Sequence, residues 1–229
     1  EELKMNKDTP KLSREQLKRD WPLVALLLLL FGLSFYFYPR LPEQVPSHWN
    51  IRGEVDGYSS RFFGAFGIPL LSLALYVMFL VLPALDPKRA NYHRFASTYN
   101  VIRWSVLGLM VLVHALVLLA GLGYSIDAGR VVQPAIALMF ILMGNQMGRV
   151  KHNYFVGIRT PWTLASEEVW RKTHRMAGPL FVVGGLVALA ATWLPAPHNF
   201  TIMMVSIIGT SLASLVYSYV VFKQLPPEG

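Results

Sequence analysis

The sequence of 229 residues contains no cysteine and few charged residues. Without cysteine the chain has no disulfide, no thiolate nucleophile and no zinc site with cysteine ligands. Its glycines form neither a phosphate-binding loop nor a dinucleotide-binding motif. Charged residues make up 15% of the chain, whereas soluble domains carry about a quarter. Any metal would therefore need His and carboxylate ligands, and the low charge argues against a soluble domain.

Apolar residues are abundant instead, and they occur in runs long enough to cross a membrane. They form 54% of the sequence, and a helix needs roughly 20 consecutive apolar residues to span a bilayer core. The sequence predicts an all-α integral membrane protein, a six-transmembrane-helix bundle with short ordered polar loops. The predicted spans are Trp21–Tyr38, Phe62–Leu85, Trp104–Tyr124, Val131–Met147, Ala177–Leu194 and Phe200–Phe222.

The basic residues are distributed unequally between the two sides of this bundle. Of the 21 Lys and Arg residues, only Arg40, Arg52, Arg61 and Arg130 fall on the side of the first loop. Loops rich in Lys and Arg stay in the cytoplasm, so we expect both termini to be cytoplasmic and the first loop to be extracytoplasmic. The net charge of +8 is interpreted as a topology signal and as attraction to anionic lipids. Direct binding of nucleic acid is not expected.

These spans suggest three parts of the chain. Residues 1–20 form a basic cytoplasmic N-terminal segment, in which Met5 is a candidate for the natural start. Residues 21–85 form a two-span unit with an extracytoplasmic loop, and residues 104–222 form a four-span unit with a cytoplasmic polar segment.

The extracytoplasmic loop contains the sequence His48-Trp49-Asn50. Asp56-Gly57 favours a turn, because Gly adopts positive φ without strain and Asp bonds to its own backbone. Two interpretations remain open, an ordered cap with aromatic side chains at the membrane interface, or a surface that recognises an extracellular ligand. Prolines at three positions favour an extended approach to this loop: Pro39, Pro42 and Pro46.

The cytoplasmic segment "NYFVGIRTPWTLASEEVWRKTHRMAG" has the highest density of polar and aromatic side chains. Thr160-Pro161 is typical of a helix start, with Thr as N-cap and Pro at the first helical position. We expect one helix from there toward Ala177 and on into the fifth span. At 100° per residue, one face of that helix would carry Thr163, Glu167, Trp170, Arg171, His174 and Gly178.

Two interpretations of this face are possible. In the first it is a polar clasp, with Glu167 paired to Arg171 and His174 hydrogen-bonded to a loop carbonyl or to Asn153. In the second, His152, Glu167 and His174 form a metal or acid–base site, although they match no established metal-ligand spacing.

Polar residues also occur inside the predicted spans. His114 suggests either a proton relay or a neutral His hydrogen-bonded between helices. Together with Gln133 and Asn145 it would line the path of a small-solute transporter. The small residues of the last two spans favour close helix packing: Gly184, Gly185, Ala188, Ser206, Thr210, Ser214 and Ser218.

The polar segments resemble those of a known family. "GNQMGRVKHNYFVGIRTPWTLASEEVWRKTHRMAG" resembles the signature of the SdpI family of bacterial membrane immunity proteins, and "VPSHWNIRGEVDGYSSR" is similar to a small domain of unknown function at the front of many members. Matched by position, the inner signature residues are Asn145, Asn153, Gly157, Arg159, Thr160, Pro161, Trp162, Thr163, Glu167, Trp170, Thr173 and His174. The outer ones are Pro46, His48, Trp49, Asn50, Gly53, Asp56 and Gly57.

The resemblance implies a function without chemistry of the protein's own. The best-known member of the family protects its host against a secreted toxic peptide, and it holds a cytoplasmic repressor at the membrane once toxin is present. We therefore expect a multi-pass protein of the bacterial cytoplasmic membrane, in contact with lipids, a toxin outside and a repressor inside, with no cofactor, metal or catalytic residue. The alternatives are a membrane-embedded metallohydrolase that uses Glu167 and His174, and the transporter.

Overall fold

The computed structural model describes residues 20–225 as six long helices, one short helix and one β-hairpin. The predicted basic segment lies outside the described residues apart from Asp20. The helices are α1 Trp21–Phe37, α2 Arg61–Leu85, α3 Ala96–Gly121, α4 Ala128–Met147, α5 Pro161–Ala165, α6 Glu167–Ala191 and α7 His198–Gln224. The strands are β1 Gln44–Trp49 and β2 Val55–Ser60, and 3₁₀ turns lie at Tyr38–Arg40 and Arg89–Phe95.

The six long helices are each long and apolar enough to cross a membrane, which confirms the predicted six-helix membrane bundle. The predicted spans cover the apolar part of each helix, but several helices begin earlier. Helix α3 starts at Ala96 rather than near Trp104, and α6 starts at Glu167 rather than at Ala177. Hydropathy locates the part of a helix that suits lipid, whereas these helices continue as polar turns beyond that part.

The loop after α1 folds into the antiparallel β-hairpin. The turn predicted at Asp56-Gly57 is wrong, because both residues lie within β2. The chain reverses instead at residues 50–54, where the Asn50 side chain accepts hydrogen bonds from the amides of Arg52 (2.8 Å) and Glu54 (3.1 Å). Gly53 adopts a φ of 82° there. An Asx turn with a left-handed glycine therefore sets the hairpin.

The most deeply buried contact between the hairpin and the bundle is made by Val45. Val45 is fully buried, and it lies over two helix positions that have no side chain. A Cβ at Gly64 would approach Val45 to 2.5 Å, and a Cβ at Gly121 would approach it to 3.1 Å. The hairpin thus rests directly on the backbones of α2 and α3.

A buried ion pair joins α1 and α3 at the opposite end of the bundle. The Arg103 guanidinium donates to both carboxylate oxygens of Asp20, the residue just before α1. The side chains are 4% and 9% exposed. Tyr76 of α2 also donates to this carboxylate, over 3.4 Å. Three helices therefore meet at one carboxylate.

Helices α4, α6 and α7 pack through small residues, as predicted for the last two spans. A Cβ at Gly144 of α4 would lie 2.7 Å from the backbone oxygen of Gly178 in α6. On the other face of α6, the Ser206 hydroxyl of α7 donates to the Gly184 carbonyl over 2.8 Å. Backbone approaches this close require glycine or a short polar side chain at the contact.

Helix α3 contacts α1 and α2 on one side and α4 on the other. The division into units at residues 21–85 and 104–222 stays a prediction.

Candidate functional site

The polar segment singled out in the sequence, residues 153–178, belongs to an ordered structure at the end of the bundle opposite the hairpin. Residues 150–174 of this structure are here called the clasp. Thr160 caps α5 as predicted, but the helix does not continue through the clasp. Helix α5 ends at Ala165, because the next residue, Ser166, is extended with a ψ of 124°. Ser166 is the N-cap of α6, and its hydroxyl accepts a hydrogen bond from the amide of Val169. The prediction of one continuous helix is wrong, since the second N-cap interrupts it.

Asn153 determines the path of the chain before α5. Its side chain is fully buried. The Nδ2 atom donates to the carbonyls of Lys151 (2.8 Å) and Val156 (2.9 Å), while Oδ1 accepts from the amides of Phe155 (2.9 Å) and Val156 (2.7 Å). Both N–H groups and both oxygen lone pairs of this side chain are therefore used to close the loop.

His174 holds the next part of the clasp through both ring nitrogens. Nδ1 donates to the carbonyl of Trp170 over 2.8 Å, and Nε2 accepts from the amide of Ile158 over 3.0 Å. Gly157 precedes that amide with a φ of 115°, and a Cβ there would collide with Nε2 of His174. His174 was expected to bond a loop carbonyl or Asn153, whereas it bonds the carbonyl of Trp170 in its own helix and the loop amide of Ile158.

Trp170 fills the centre of the clasp. It is 2% exposed, and its indole nitrogen donates to the carbonyl of Val150 over 3.0 Å. The His174 ring stacks on it with a centroid distance of 4.1 Å, and the His152 ring lies 5.0 Å from it. The indole thus links the start and the end of the clasp.

Thr160 and Thr163 form a reciprocal capping box that also reaches α7. The Thr163 hydroxyl accepts from the amide of Thr160 (2.8 Å) and donates to the carbonyl of Ile158 (2.9 Å). The Thr160 hydroxyl lies 3.2 Å from that of Ser218. Since Ser218 is fully buried, α5 is fastened to the last helix by this contact.

Glu167 does not take the place predicted for it. It is exposed, as is Arg171, and Arg171 pairs instead with Glu168 over 3.5 Å. The Glu167–Arg171 contact is therefore wrong. The break at Ser166 turns α6 so that its buried face carries Val169, Trp170, Thr173, His174, Ala177 and Gly178.

Asp86, which the sequence analysis did not single out, connects the clasp to α2. It is the C-cap of α2 and is 1% exposed. Its carboxylate accepts from the amide of Lys88 (2.7 Å), the hydroxyl of Tyr92 (3.0 Å) and the amide of Tyr154 (2.9 Å). Asp86-Pro87 does indicate a helix end, but the sequence contains no signal for a partner 68 residues away.

Lys88 makes the second contact between this connection and the clasp. Its ammonium group donates to Nδ1 of His152 over 2.8 Å, so that His152 is neutral with its proton on Nε2. Burial, and next the charge of Lys88, lower the pKa of His152 below its ordinary value. His152 therefore stays neutral at pH 7, and its buried Nε2 has no hydrogen-bond partner among the described residues.

The remaining inner residues lie at the edge of the clasp. Arg159 is exposed and donates to the carbonyl of Tyr154 over 3.2 Å. Trp162 is partly buried against Tyr219 of α7. Asn145 faces outward from α4 and takes no part in the hydrogen bonds of the clasp. These residues are available for contact with another molecule.

The residues of the hydrolase and transporter alternatives are not assembled into a site. Within residues 20–225, three or more His, Asp or Glu side chains nowhere come together as a metal site. His174 uses both nitrogens internally. His114 is fully buried and lies 3.1 Å from the Ser34 hydroxyl, as predicted for a His bonded between helices. Gln133 and Asn145 are 12 positions apart on α4, about 18 Å along the axis.

The hairpin carries its predicted residues on two faces. Nδ1 of His48 lies 2.6 Å from the carboxylate of Asp56 across the strands, and His48 is 71% exposed. A Cβ at Gly57 would come within 2.8 Å of the Cβ of His48, so that glycine is needed opposite it. Trp49 packs on the apolar cluster beneath the hairpin, whereas Tyr58 is 60% exposed. Pro46 pairs with Tyr58 in the ladder.

Comparison with known proteins gives the same two regions. A model of the SdpI/YfhL protein family matches residues 149–218, from the clasp through most of α7. A model of a domain of unknown function (DUF1648) matches residues 25–73, from α1 through the hairpin into α2. The chain is 27% identical to the immunity protein SdpI of Bacillus subtilis (strain 168) over 202 residues, 88% of this chain and 95% of that protein.

No solved structure matches the chain. The clasp falls within one of the matched regions and the hairpin within the other, and the relative is similar over nearly its whole length. The chain is therefore similar to the SdpI/YfhL family in its rear part and to the DUF1648 region in front of it.

Proposed function

We propose that this protein is an immunity protein and signal-transducing receptor of the bacterial cytoplasmic membrane. It confers resistance to a secreted toxic peptide and has no chemistry of its own. The similarity to the immunity protein SdpI supports this proposal. The observation that carries it is the use of the buried polar side chains of the clasp, since Asn153, Thr163 and His174 all bind backbone groups of the clasp itself.

The outward surface of the hairpin is the proposed contact for the toxic peptide. Its exposed side chains include His48, Asp56 and Tyr58, which combine a polar pair with an aromatic ring. Tyr is frequent among the residues that dominate the energy of protein interfaces. Val45 holds this surface in a fixed orientation on the bundle.

The exposed edge of the clasp is the proposed contact for a repressor protein in the cytoplasm. Arg159, Arg171 and Arg175 are exposed there, next to the acidic pair Glu167 and Glu168. Arginine is enriched in protein interfaces, and this edge is predominantly basic. An acidic surface on the partner fits it best.

Survival in mixed culture tests the immunity function. A strain that lacks this gene is grown together with its parent, and its viable count is followed with and without a plasmid copy of the gene. We expect the deletion strain to die and the plasmid copy to rescue it. Equal survival of the deletion strain and the complemented strain would overturn the proposal.

Two tyrosine variants then test the hairpin surface. Tyr58→Ala should reduce protection partially. Tyr124 is an equally exposed tyrosine between α3 and α4, and Tyr124→Ala should leave protection unchanged. Membrane levels of both variants are compared by immunoblot. Equal loss in the two variants would show that the hairpin is not the contact.

The inner contact is tested by following transcription factors between cell fractions. During the same challenge, a repressor should move to membranes containing the wild-type protein and not to membranes containing Arg159→Ala. A reporter gene under its control should rise in parallel. Protection in the absence of any such movement would restrict the function to immunity.

The proposed orientation has its own test, because the chain contains no cysteine. Single cysteines at Tyr58 and Ala165, both at exposed positions, are treated in intact cells with a membrane-impermeant thiol reagent. The cysteine at position 58 should react and that at position 165 should not. The reverse pattern would invert the topology.

A further inference from the structure

We infer that α2 transmits the position of the hairpin to the clasp, and that hydroxyl groups of α1 and α3 hold α2 in place at its two internal prolines. This inference deepens the proposed receptor function and rests on it for its biological use. The structural coupling itself concerns contacts within the chain.

The hairpin and α2 form one continuous body. Ser60 is the last residue of β2 and the N-cap of α2, and its hydroxyl accepts from the amide of Phe63. The next residue, Arg61, donates from its amide to the backbone carbonyl of Glu43 before β1 (2.9 Å). Its Nε donates to the backbone carbonyl of Pro42 (3.3 Å). With no linker residue between strand and helix, a movement of the hairpin moves the start of α2.

Helix α2 contains Pro69 and Pro83. A proline inside a helix has no N–H, so the carbonyl four residues earlier loses its hydrogen bond. The two carbonyls released in α2 are those of Ala65 and Phe79. In the bilayer core, such groups must find donors on neighbouring helices.

Both carbonyls receive a hydroxyl from a different neighbour. Ser34 of α1 lies 2.6 Å from the Ala65 oxygen, and Tyr99 of α3 donates to the Phe79 oxygen over 2.7 Å. Ser34 also contacts His114 of α3. The two points at which α2 lacks its internal hydrogen bond are therefore the points at which the adjacent helices hold it.

The far end of α2 is joined to the clasp. Asp86 caps the helix three residues after Pro83 and accepts the amide of Tyr154. The 25 residues of α2 extend over about 37 Å. A tilt at the hairpin thus reaches the loop that Asn153 closes, and the contact of Tyr99 at Phe79 determines how firmly the last turn of α2 is held.

Amide hydrogen exchange in detergent micelles tests the coupling without toxin or repressor. Val45→Ala removes most of the buried side chain through which β1 rests on α2 and α3. Val55→Ala makes the same change on β2, where the side chain is outside the apolar cluster beneath the hairpin. We expect exchange of the amides at residues 153–158 to become roughly three- to tenfold faster in Val45→Ala, and to stay unchanged in Val55→Ala.

The proline contact is tested by a double-mutant cycle. Tyr99→Phe leaves the Phe79 carbonyl without a donor, so that exchange at residues 153–158 should rise. Pro83→Ala supplies the missing N–H within α2, so that Tyr99→Phe should have a much smaller effect in its presence. Tyr124→Phe, at an exposed position at the other end of the bundle, is the matched control.

Three results would overturn the inference. The first is an effect of Val45→Ala that is confined to the hairpin, and the second is an equal effect of the two valine variants at the clasp. The third is an effect of Tyr99→Phe that is the same in the wild-type protein and in the Pro83→Ala variant. If Val45→Ala does not fold, the measurement is made with Val45→Thr, which keeps the side-chain shape but weakens the apolar contact because it buries a hydroxyl. Because this experiment needs no ligand, its failure leaves the immunity function to be decided by mixed culture.

Discussion

The front region of the bundle, here α1 to α3 with the hairpin, and the rear region, here the clasp with α4 to α7, are held together in different ways. In the front region, single polar contacts join helices across long stretches of sequence, as in Asp20–Arg103 and Ser34–His114. In the rear region, the polar contacts are mostly local to the clasp, and the helices meet through glycine. The front region therefore depends on a few buried polar contacts, and the rear on shape.

This difference explains what could be predicted from the sequence. The sequence indicates the clasp because its hydrogen-bonding residues lie within 25 consecutive positions and include a recognisable N-cap at Thr160-Pro161. Its second N-cap also had a signal, since Ser166 precedes two Glu residues at the start of a helix. The apolar runs gave the six spans for the same reason, because both signals are local.

The contacts of the front region had no such signal. Arg103 and Asp20 are separated by 83 positions, and the sequence does not indicate which of several charged residues would meet. The sequence does not locate the hairpin turn, because Asp56-Gly57 and Asn50 to Gly53 are both good turn sequences. Val45 is buried because Gly64 and Gly121, on two other elements, leave space for its side chain, and its own sequence neighbourhood does not indicate this.

The largest effect is expected where a buried charge loses its partner in the front region. Arg103→Met leaves the Asp20 carboxylate unpaired, and breaking such a pair costs about 3–5 kcal/mol. Thermal unfolding in detergent should show a strongly lowered Tm. The double variant Asp20→Asn, Arg103→Met removes both charges and should recover most of the loss. A double variant as unstable as the single one would contradict this account.

The rear region should respond instead to a single added methyl group. Gly144→Ala places a Cβ against the backbone of α6, and overpacking of this kind costs about 1–3 kcal/mol. Gly108→Ala in α3 is the matched control, because a Cβ there has no atom within 4 Å. Tm should fall for the first and not for the second. If both variants keep the wild-type Tm, shape does not limit the rear region.

Acid should weaken the contact that joins the two regions at Lys88 and His152. The folded-state pKa of His152 is lowered, so the unfolded chain binds more protons below about pH 6.5. Stability should therefore fall as the pH decreases below that value, and less so in His152→Gln. Denaturant unfolding between pH 8 and pH 5 measures the stability of both proteins. Identical pH profiles of the wild type and His152→Gln would show that His152 does not cause the loss of stability in acid.

The smallest effect is expected at the edge of the clasp. Glu167→Gln changes an exposed residue, and surface substitutions usually alter stability little. Thr163→Val, in contrast, removes a buried hydroxyl that bonds two backbone groups and should cost about 1–3 kcal/mol. A Tm that drops for Glu167→Gln and not for Thr163→Val would restore the ion pair that the sequence suggested.

The direct junction between β2 and α2 at Ser60 also limits how the length of the chain can vary. Each residue inserted after Ser60 would rotate the hairpin by about 100° around the axis of α2, and Val45 would point away from Gly64 and Gly121. An insertion of seven residues restores the angle to within about 20° but raises the hairpin by two turns. Natural length changes in this region should therefore fall at residues 50–54, where the angular relation between the strands and α2 is unaffected.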